Sequence, residues 1–443
     1  MPRTGIDAVV IGAGAAGLAA ARALSDAGRD VVVLEARPRI GGRILTVYDP
    51  EWPLPVELGP EFLHGEARAT REVARAAGLA VVELPDEHVW AEDGRLRPMG
   101  DVWTRFGALL ERVPPKGPDL SFARFLAQRR VPASTRQMAR LFVEGYFAAD
   151  ADRISARSVA SSGGEDDAAQ RQYRPAEGYF RIVDWLRAGL RPERCRVCLG
   201  SVVESVAWRR GEVEVSYRSV AGTQTRLVRA RTAVVTLPLG VLKAAPPEAG
   251  AVRFDPMPAP LRASIEKLEV SHVCKLVLRF REAFWDAPGF FARRAAPALG
   301  EPNRIDFLHD RKGDFPTWWT ANPWRVPMLT AWAGGPRADA LSELSEAGLV
   351  DRALASLARA LGSSRPRLED LLESWRVHDW RRDPYSRGAY SYVGVGGLPA
   401  QRALGRPCDG TLFFAGETTE PEEMGTVAGA IASGQRAARQ ILS

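Results

Sequence analysis

Runs of consecutive apolar residues alternate in this chain with longer stretches whose apolar positions recur every three or four residues, and glycine-rich breaks separate them. Residues 8–11 and 31–34 are apolar throughout, the pattern of parallel strands buried on both faces. Between them, Gly12-Ala-Gly14-Ala-Ala-Gly17 leads into an Ala-rich stretch, 18–27, closed by Gly28. That arrangement predicts a helix with a glycine stop. Further along, the spacing predicts a helix over 66–77 and strands over 79–84 and 89–96, with a turn at Asp93-Gly94. Residues 101 to about 190 read as mostly helical, interrupted by loops at 114–118 and 161–164. A strand meander follows at 202–207, 212–217 and 225–228, and then a short strand at 234–236. The remainder reads as a helix over 256–268, a strand over 272–280, strand-like residues over 321–334, a helix over 350–361 and a strand at 412–414. A last helix begins at Thr426, whose side chain suits an N-cap.

The length, 443 residues, suits two domains with an interleaved third segment. The net charge of +6 is carried mostly by arginine, and no basic run is interleaved with aromatics. This reads as a solvated Arg-rich surface with no nucleic-acid partner. No window approaches the roughly 18 consecutive apolar residues of a membrane span. Four cysteines are few for a disulfide framework. Cys195-Arg-Val-Cys198 has no second ligand pair nearby and enters a predicted strand, so no metal site is expected. A reducing, cytoplasmic compartment fits best.

The opening unit carries the first chemistry. In a strand–turn–helix–strand unit, Gly12 makes the tight turn, Gly14 lets backbone approach a pyrophosphate, and Gly17 permits close helix–strand packing. The helix N-terminus offers free N–H groups to phosphate. Glu35, at the end of the second strand, can accept hydrogen bonds from a ribose hydroxyl.

The continuation Glu35-Ala-Arg37-Pro-Arg-Ile-Gly41-Gly42-Arg43 resembles the FAD-binding opening of the flavin amine oxidase superfamily, which includes monoamine and polyamine oxidases, L-amino-acid oxidases and flavin histone demethylases. The resemblance covers most of the chain, most strongly 7–65, 198–285 and 375–440. It implies an α/β fold in which a Rossmann-type, glutathione-reductase-like FAD-binding domain (1–80, 196–250 and 376–443) is interleaved with an α+β substrate domain (81–195 and 251–375) carrying a helical cap. It assigns cofactor contacts to Gly12, Gly14, Ala16, Gly17, Glu35, Ala36, Arg37, Gly42 and Arg43. Further contacts fall on Gly59, Pro60, Val203, Trp380, Gly416, Glu417, Thr426 and Val427. Guanidinium suits the ribose and pyrophosphate because it is always charged and grips oxygens in pairs.

Three other segments imply the substrate side. Gly59-Pro-Glu61-Phe-Leu-His64-Gly65 resembles polyamine oxidases, where His64 would face the substrate channel. His272-Val-Cys-Lys275 resembles the segment whose Lys holds a water near flavin N5; a solvated edge lysine is the other reading. Gly388-Ala389-Tyr390 resembles the segment flanking the flavin, in which monoamine oxidases place a covalent Cys where this chain has Ala389. FAD is therefore expected to be non-covalent, and Tyr390 to form one wall of an amine cage. Glu423 falls where the second cage tyrosine would stand; with Glu61 it could hold a second positive charge on a long amine. No long heptad insertion lies between Gly240 and Lys275, which disfavours a demethylase. The chain ends at Ser443, directly after its last helix, and no membrane anchor is expected.

These features lead to an FAD-dependent amine oxidase. Hydride passes from the amine α-carbon to flavin N5, O₂ gives H₂O₂, and water hydrolyses the imine to an aldehyde. The substrate would be a primary or secondary amine, a polyamine among them. An L-amino-acid oxidase, a flavin-dependent desaturase and a non-catalytic flavin-binding protein are the alternatives, and both a monomer and a homodimer are open.

Overall fold

A computed structural model describes residues 5–162, 171–220, 222, 224–294 and 304–443. The end of the loop expected at 161–164 falls outside them. Two large sheets organise the chain. The first has eight strands. At its centre Ile6–Ile11 lies parallel to Val31–Leu34 on one side and to Thr225–Val235 on the other. Cys195–Cys198 extends it beyond Val31–Leu34, and Leu412–Phe414 pairs with the end of Thr225–Val235. The antiparallel meander Ser201–Arg209, Glu212–Ser219, Thr225–Val235 completes it, with Arg253–Asp255 at its edge. The 225–228 and 234–236 segments are one continuous strand. Its first half pairs with the meander and its second half with Ile6–Ile11, so its apolar pattern changes midway.

Helices Ala15–Asp26 and Val427–Leu442 pack together on this sheet. Their contact is close because a Cβ at Gly434 would stand 2.1 Å from the Ala16 carbonyl oxygen. The core beneath them is built from Ala, Val, Leu and Ile, whose burial supplies the apolar driving force.

The second sheet has seven strands in the order Leu372–Val377, Val273–Phe280, Met328–Gly334, Thr317–Thr320, Phe307–Asp310, His88–Glu92, Arg95–Pro98. Alternation along these strands divides the sheet into two faces. Leu276, Leu278, Ala331, Trp318, Leu308 and Val89 pack into a core with helix Glu346–Leu361. The other face carries Lys275, Trp332, Thr317, His309 and Trp90, which are direct register partners across five strands. The strand-like stretch 321–334 resolves into strand Met328–Gly334 and a preceding turn, because Asn322-Pro323 breaks the ladder. Strand Thr317–Thr320, before that turn, was not anticipated.

Helices Val102–Leu110, Phe122–Ala127, Ala133–Tyr146 and Ala156–Ser161 form a separate apolar cluster that also touches Trp90 and Tyr392. They cover the open face of the second sheet.

Candidate active site

A continuous cavity of about 1690 Å³ runs from the Gly12 turn to the cap helices. Single small-ligand pockets are roughly 300–1,000 Å³, so this one has room for a dinucleotide and a substrate. At its first end, a Cβ on Gly17 would stand 2.0 Å from the Gly12 carbonyl oxygen. One on Gly14 would meet nothing nearer than the Gly41 carbonyl oxygen at 3.9 Å. Gly17 is therefore needed for packing, whereas Gly14 faces open space. The N-terminus of Ala15–Asp26 points its unpaired N–H groups at that space.

Glu35 is buried, and its two oxygens accept from Ala13 N (2.7 Å) and Arg37 N (2.9 Å). It thus braces the glycine turn while lining the cavity. Arg37 donates to Asp383 (2.7 Å) and Ser386 Oγ (2.8 Å). Burial would raise the Asp383 carboxyl, but hydrogen bonds from His378 and Arg37 outweigh it and hold the group below its ordinary range. Arg43 donates to the Ala389 carbonyl and to Glu417 Oε1 (3.0 Å). Both arginines tie the nucleotide half of the cavity to the segment 383–391. Ala16, Ala36, Gly42, Pro60, Val203 and Gly416 line the same cavity. Trp380 donates from Nε1 to the Leu58 carbonyl at 2.8 Å. Thr426 Oγ1 accepts from Gly429 N (2.9 Å) and caps the last helix, which starts at Val427.

Gly59 joins this half to the substrate half. A Cβ there would stand 2.0 Å from the Arg43 carbonyl oxygen, so only glycine lets the two segments touch. Its own carbonyl lies 3.2 Å from Lys275 Nζ. Strand Val273–Phe280 has neighbours on both sides, and Lys275 is 4 % exposed. Its ammonium stands 2.6 Å from Glu61 Oε2, while Arg174 reaches Glu61 Oε1 at 2.6 Å. Burial alone would raise the Glu61 carboxyl; the charges of Lys275 and Arg174 prevail and hold it below its ordinary value. A buried ammonium needs such a partner.

Glu57 is a second buried carboxyl nearby. It accepts from Tyr179 N (2.6 Å) and Thr46 Oγ1 (2.8 Å), yet burial pushes it up to about 7. His64 meets Phe62 and Tyr146 edge-on, with centroids 6.1 and 5.5 Å apart. Burial lowers its pKa to about 4, so it stands as a neutral imidazole. Tyr390 donates from its hydroxyl to the Tyr146 carbonyl at 2.8 Å. Burial, with Tyr146 and Glu417 nearby, raises its phenol. Glu423 also lines the cavity, but on the 420–426 loop; burial, then Glu420 and Glu422, raises its carboxyl.

The cavity thus brings Lys275, Glu61, His64 and Tyr390 to one aromatic chamber and gathers the glycine turn, Glu35 and the capped last helix at the other end. Tyr146, Phe62 and Trp319 line the chamber, and Arg174 stands behind Glu61; none of the four was singled out in the sequence. Arg174 stands in Tyr173-Arg-Pro, ahead of a glycine turn, and an arginine there carries no local signal of its partner. Among the described residues no group of His, Cys, Asp and Glu could hold a metal ion, and Cys195 and Cys198 are free. Among the same residues no helix is long and apolar enough to cross a membrane.

A dinucleotide cradle opening into an aromatic chamber with a buried ammonium defines a nucleotide-dependent oxidoreductase. The chain belongs to the flavin containing amine oxidoreductase family, whose model matches residues 15–442. It is 29% identical over 471 residues to polyamine oxidase 3 of Oryza sativa subsp. japonica, covering 98% of this chain and 88% of that protein. It is 26% identical over 491 residues to the flavin-containing amine oxidase of Danio rerio, covering 100% and 87%. Among solved structures, wild-type putrescine oxidase bound to putrescine superposes with a TM-score of 0.80 at 22% identity, over 99% of both chains. Cyclohexylamine oxidase from Brevibacterium oxydans IH-35A gives 0.78 at 20% identity, over 99% of this chain and 98% of that one. These two likenesses establish the fold.

The chain is therefore a flavin-dependent amine oxidase with FAD as its cofactor. The residues present fit that group: the open face of Gly14, the free N–H groups beyond it, the acid at the strand end and the volume of the cavity all suit a dinucleotide. Position 389 is alanine, which has no nucleophile for a covalent link.

Proposed function

We propose that the protein oxidises a primary or secondary amine presented as the free base in the aromatic chamber. The observation that carries this reading is the continuity of one cavity from the Gly12 cradle to the wall of Lys275, His64 and Tyr390. FAD held there would supply the redox chemistry, acceptance of a hydride equivalent from the amine α-carbon and delivery of the two electrons to O₂, so that the products would be H₂O₂ and an imine open to hydrolysis by water.

The protein's own residues orient and tune. Tyr390, pinned through its hydroxyl to the Tyr146 carbonyl, and His64, packed edge-on against Tyr146, form rigid walls that hold the amine and exclude bulk water. Because His64 is neutral, it can accept or donate a hydrogen bond without repelling an arriving ammonium. Lys275 is fixed by Gly59 and Glu61, so its remaining donor can hold a water for the hydrolytic step. Glu61 is neutralised by two cations, so we assign it to Lys275 rather than to a second substrate charge. Glu423 remains for that charge on the loop side. The free N–H groups at the start of Val427–Leu442 favour negative charge where the helix meets the cavity.

The test is a panel of amines, L-amino acids and polyenes assayed in air for peroxide and for carbonyl product. Peroxide with an equivalent of aldehyde or ketone from amines is expected. Turnover confined to amino acids or to C–C desaturation would overturn the reading.

A further inference from the structure

Behind the chamber wall lies a second, small cavity of about 30 Å³, and it holds a buried carboxyl that the oxidation does not use, Glu57. Glu57 and Glu61 both line this space. Among the described residues Glu61 alone also lines the large cavity, so it is the one side chain that faces both. A buried water needs roughly 10–15 Å³ and a few polar partners, and the space suits one or two. Arg174 and Thr330 are further polar members of its wall. Arg174 is itself buried, and its Nε donates to no group among the described residues.

The two carboxyls have contrasting surroundings. Lys275 and Arg174 each hold one oxygen of Glu61, and their charges keep it ionised. Glu57 accepts instead from two neutral groups, Tyr179 N and Thr46 Oγ1. Thr46 Oγ1 accepts in turn from Phe180 N, which leaves its own proton for Glu57. The charged and titratable groups facing Glu57 are Lys275, Glu61 and Arg174 on the chamber side, with buried Tyr179 and half-exposed Tyr48 beyond. Burial is the largest influence and outweighs both hydrogen bonds and Lys275, raising the carboxyl to about 7. A proton that enters this region therefore rests on Glu57. Glu61 has lone pairs to spare on both oxygens and can pass a proton on, but its two cations keep it from retaining one.

Amine oxidation has a proton to place. At neutral pH an alkylamine arrives as its ammonium, as a lysine side chain would, and must lose one proton before hydride can leave its α-carbon. Making H₂O₂ from O₂ then consumes that hydride equivalent and one further proton. The sum, RCH₂NH₃⁺ + O₂ → RCH=NH₂⁺ + H₂O₂, balances in atoms and charge with no proton from solvent, provided the first proton is kept until the last step.

We infer that Glu57 stores that proton: it leaves the substrate ammonium, crosses Glu61 and the small cavity to the Glu57 carboxylate, and returns by the same route when O₂ is reduced. An O–H bond on Glu57 replaces the N–H bond lost by the substrate, and no electron moves with the proton. The hydride that leaves the amine adds negative charge on the cofactor side, which holds the proton on Glu57 until O₂ removes both. Glu57 does not line the large cavity and acts through Glu61. The inference rests on the oxidase reading and adds a route for its proton.

The test mixes the holoenzyme, as wild type and as Glu57→Gln, with the fastest amine of the panel in the absence of O₂, in weak buffer with a pH-indicator dye. The readout is the number of protons released per flavin bleached, which a purely structural role for Glu57 would not change. At about pH 8 Glu57 starts ionised, so wild type should release close to none and Glu57→Gln close to one. At about pH 6 Glu57 already carries its proton, and both should release close to one. A second readout needs no turnover: infrared titration of the resting holoenzyme between the same two pH values should show a protonated-carboxyl band that grows in wild type and is missing from the variant. Equal proton counts in the two proteins, or a full proton released by wild type at the higher pH, would overturn the store while leaving the oxidase intact. If Glu57→Gln does not fold, the wild-type counts at the two pH values decide alone. If no amine bleached the flavin of either protein, the oxidase reading itself would fall, and the store with it.

Discussion

Lys275 Nζ lies 2.6 Å from Glu61 Oε2 in a buried pair, and Arg174 holds the other oxygen of the same carboxylate. The three residues come from three separate segments. Removing the acid leaves two cations facing each other without a counter-charge, whereas removing Lys275 leaves Glu61 still paired with Arg174. Glu61→Ala should therefore destabilise the fold by about 3–5 kcal/mol, and Lys275→Met by less. Thermal or denaturant unfolding of the two variants checks the order, and the reverse order would contradict the network. Lys275→Met should also slow flavin reduction or reoxidation at least about tenfold, roughly 1.4 kcal/mol of barrier; stopped-flow rates equal to wild type would remove Lys275 from the mechanism.

The glycine turn separates folding from cofactor binding. A Cβ at position 17 collides with the Gly12 carbonyl, while one at position 14 projects into open cavity. Gly17→Ala should lower the melting temperature of the apoprotein. Gly14→Ala should leave it near wild type and weaken FAD binding, measured by titration of the apoprotein. Equal melting losses for both would contradict the assignment.

Glu57 makes a pH prediction. Its carboxyl is raised from an ordinary 4.5 to about 7 because it is buried. The folded state therefore binds its proton more tightly than the unfolded state does. The resulting contribution is fully present below pH 4.5 and is lost as pH rises to about 7. Glu57→Gln keeps a neutral side chain there, so the stability of wild type relative to the variant should fall across that window. Parallel melting-temperature profiles would show that Glu57 does not titrate in this range.

With alanine at position 389 the cofactor has no side chain to bond there. Acid precipitation should leave the yellow colour in the supernatant. Colour retained in the pellet would mean a covalent link elsewhere.

The nucleotide half was readable from the sequence because its signals are local. Val31–Leu34 is apolar throughout because it is buried in a parallel sheet, and the spacing of Gly12, Gly14 and Gly17 reports contacts within a single turn. Lys275 stood out because a cation in an apolar strand is costly without a partner. The partner itself was read differently: Glu61 was expected to face substrate, and its engagement by Arg174 depends on strand Gln172–Pro175 crossing nearby, a long-range pairing with no sequence pattern. The His88–His309 contact is of the same kind. It arises from a parallel pairing of strands more than two hundred positions apart, in which His88 aligns with Phe307 and Trp90 with His309. Local periodicity shows that each strand exists but not which strand lies beside it.

The most direct measurement mixes the purified yellow protein with an amine in the absence of O₂ and follows the flavin's visible absorption. The account predicts that the band bleaches on mixing and returns when O₂ is admitted, with one peroxide formed per flavin. A colourless protein that takes up no FAD, or a flavin band unchanged by every amine offered, would contradict it.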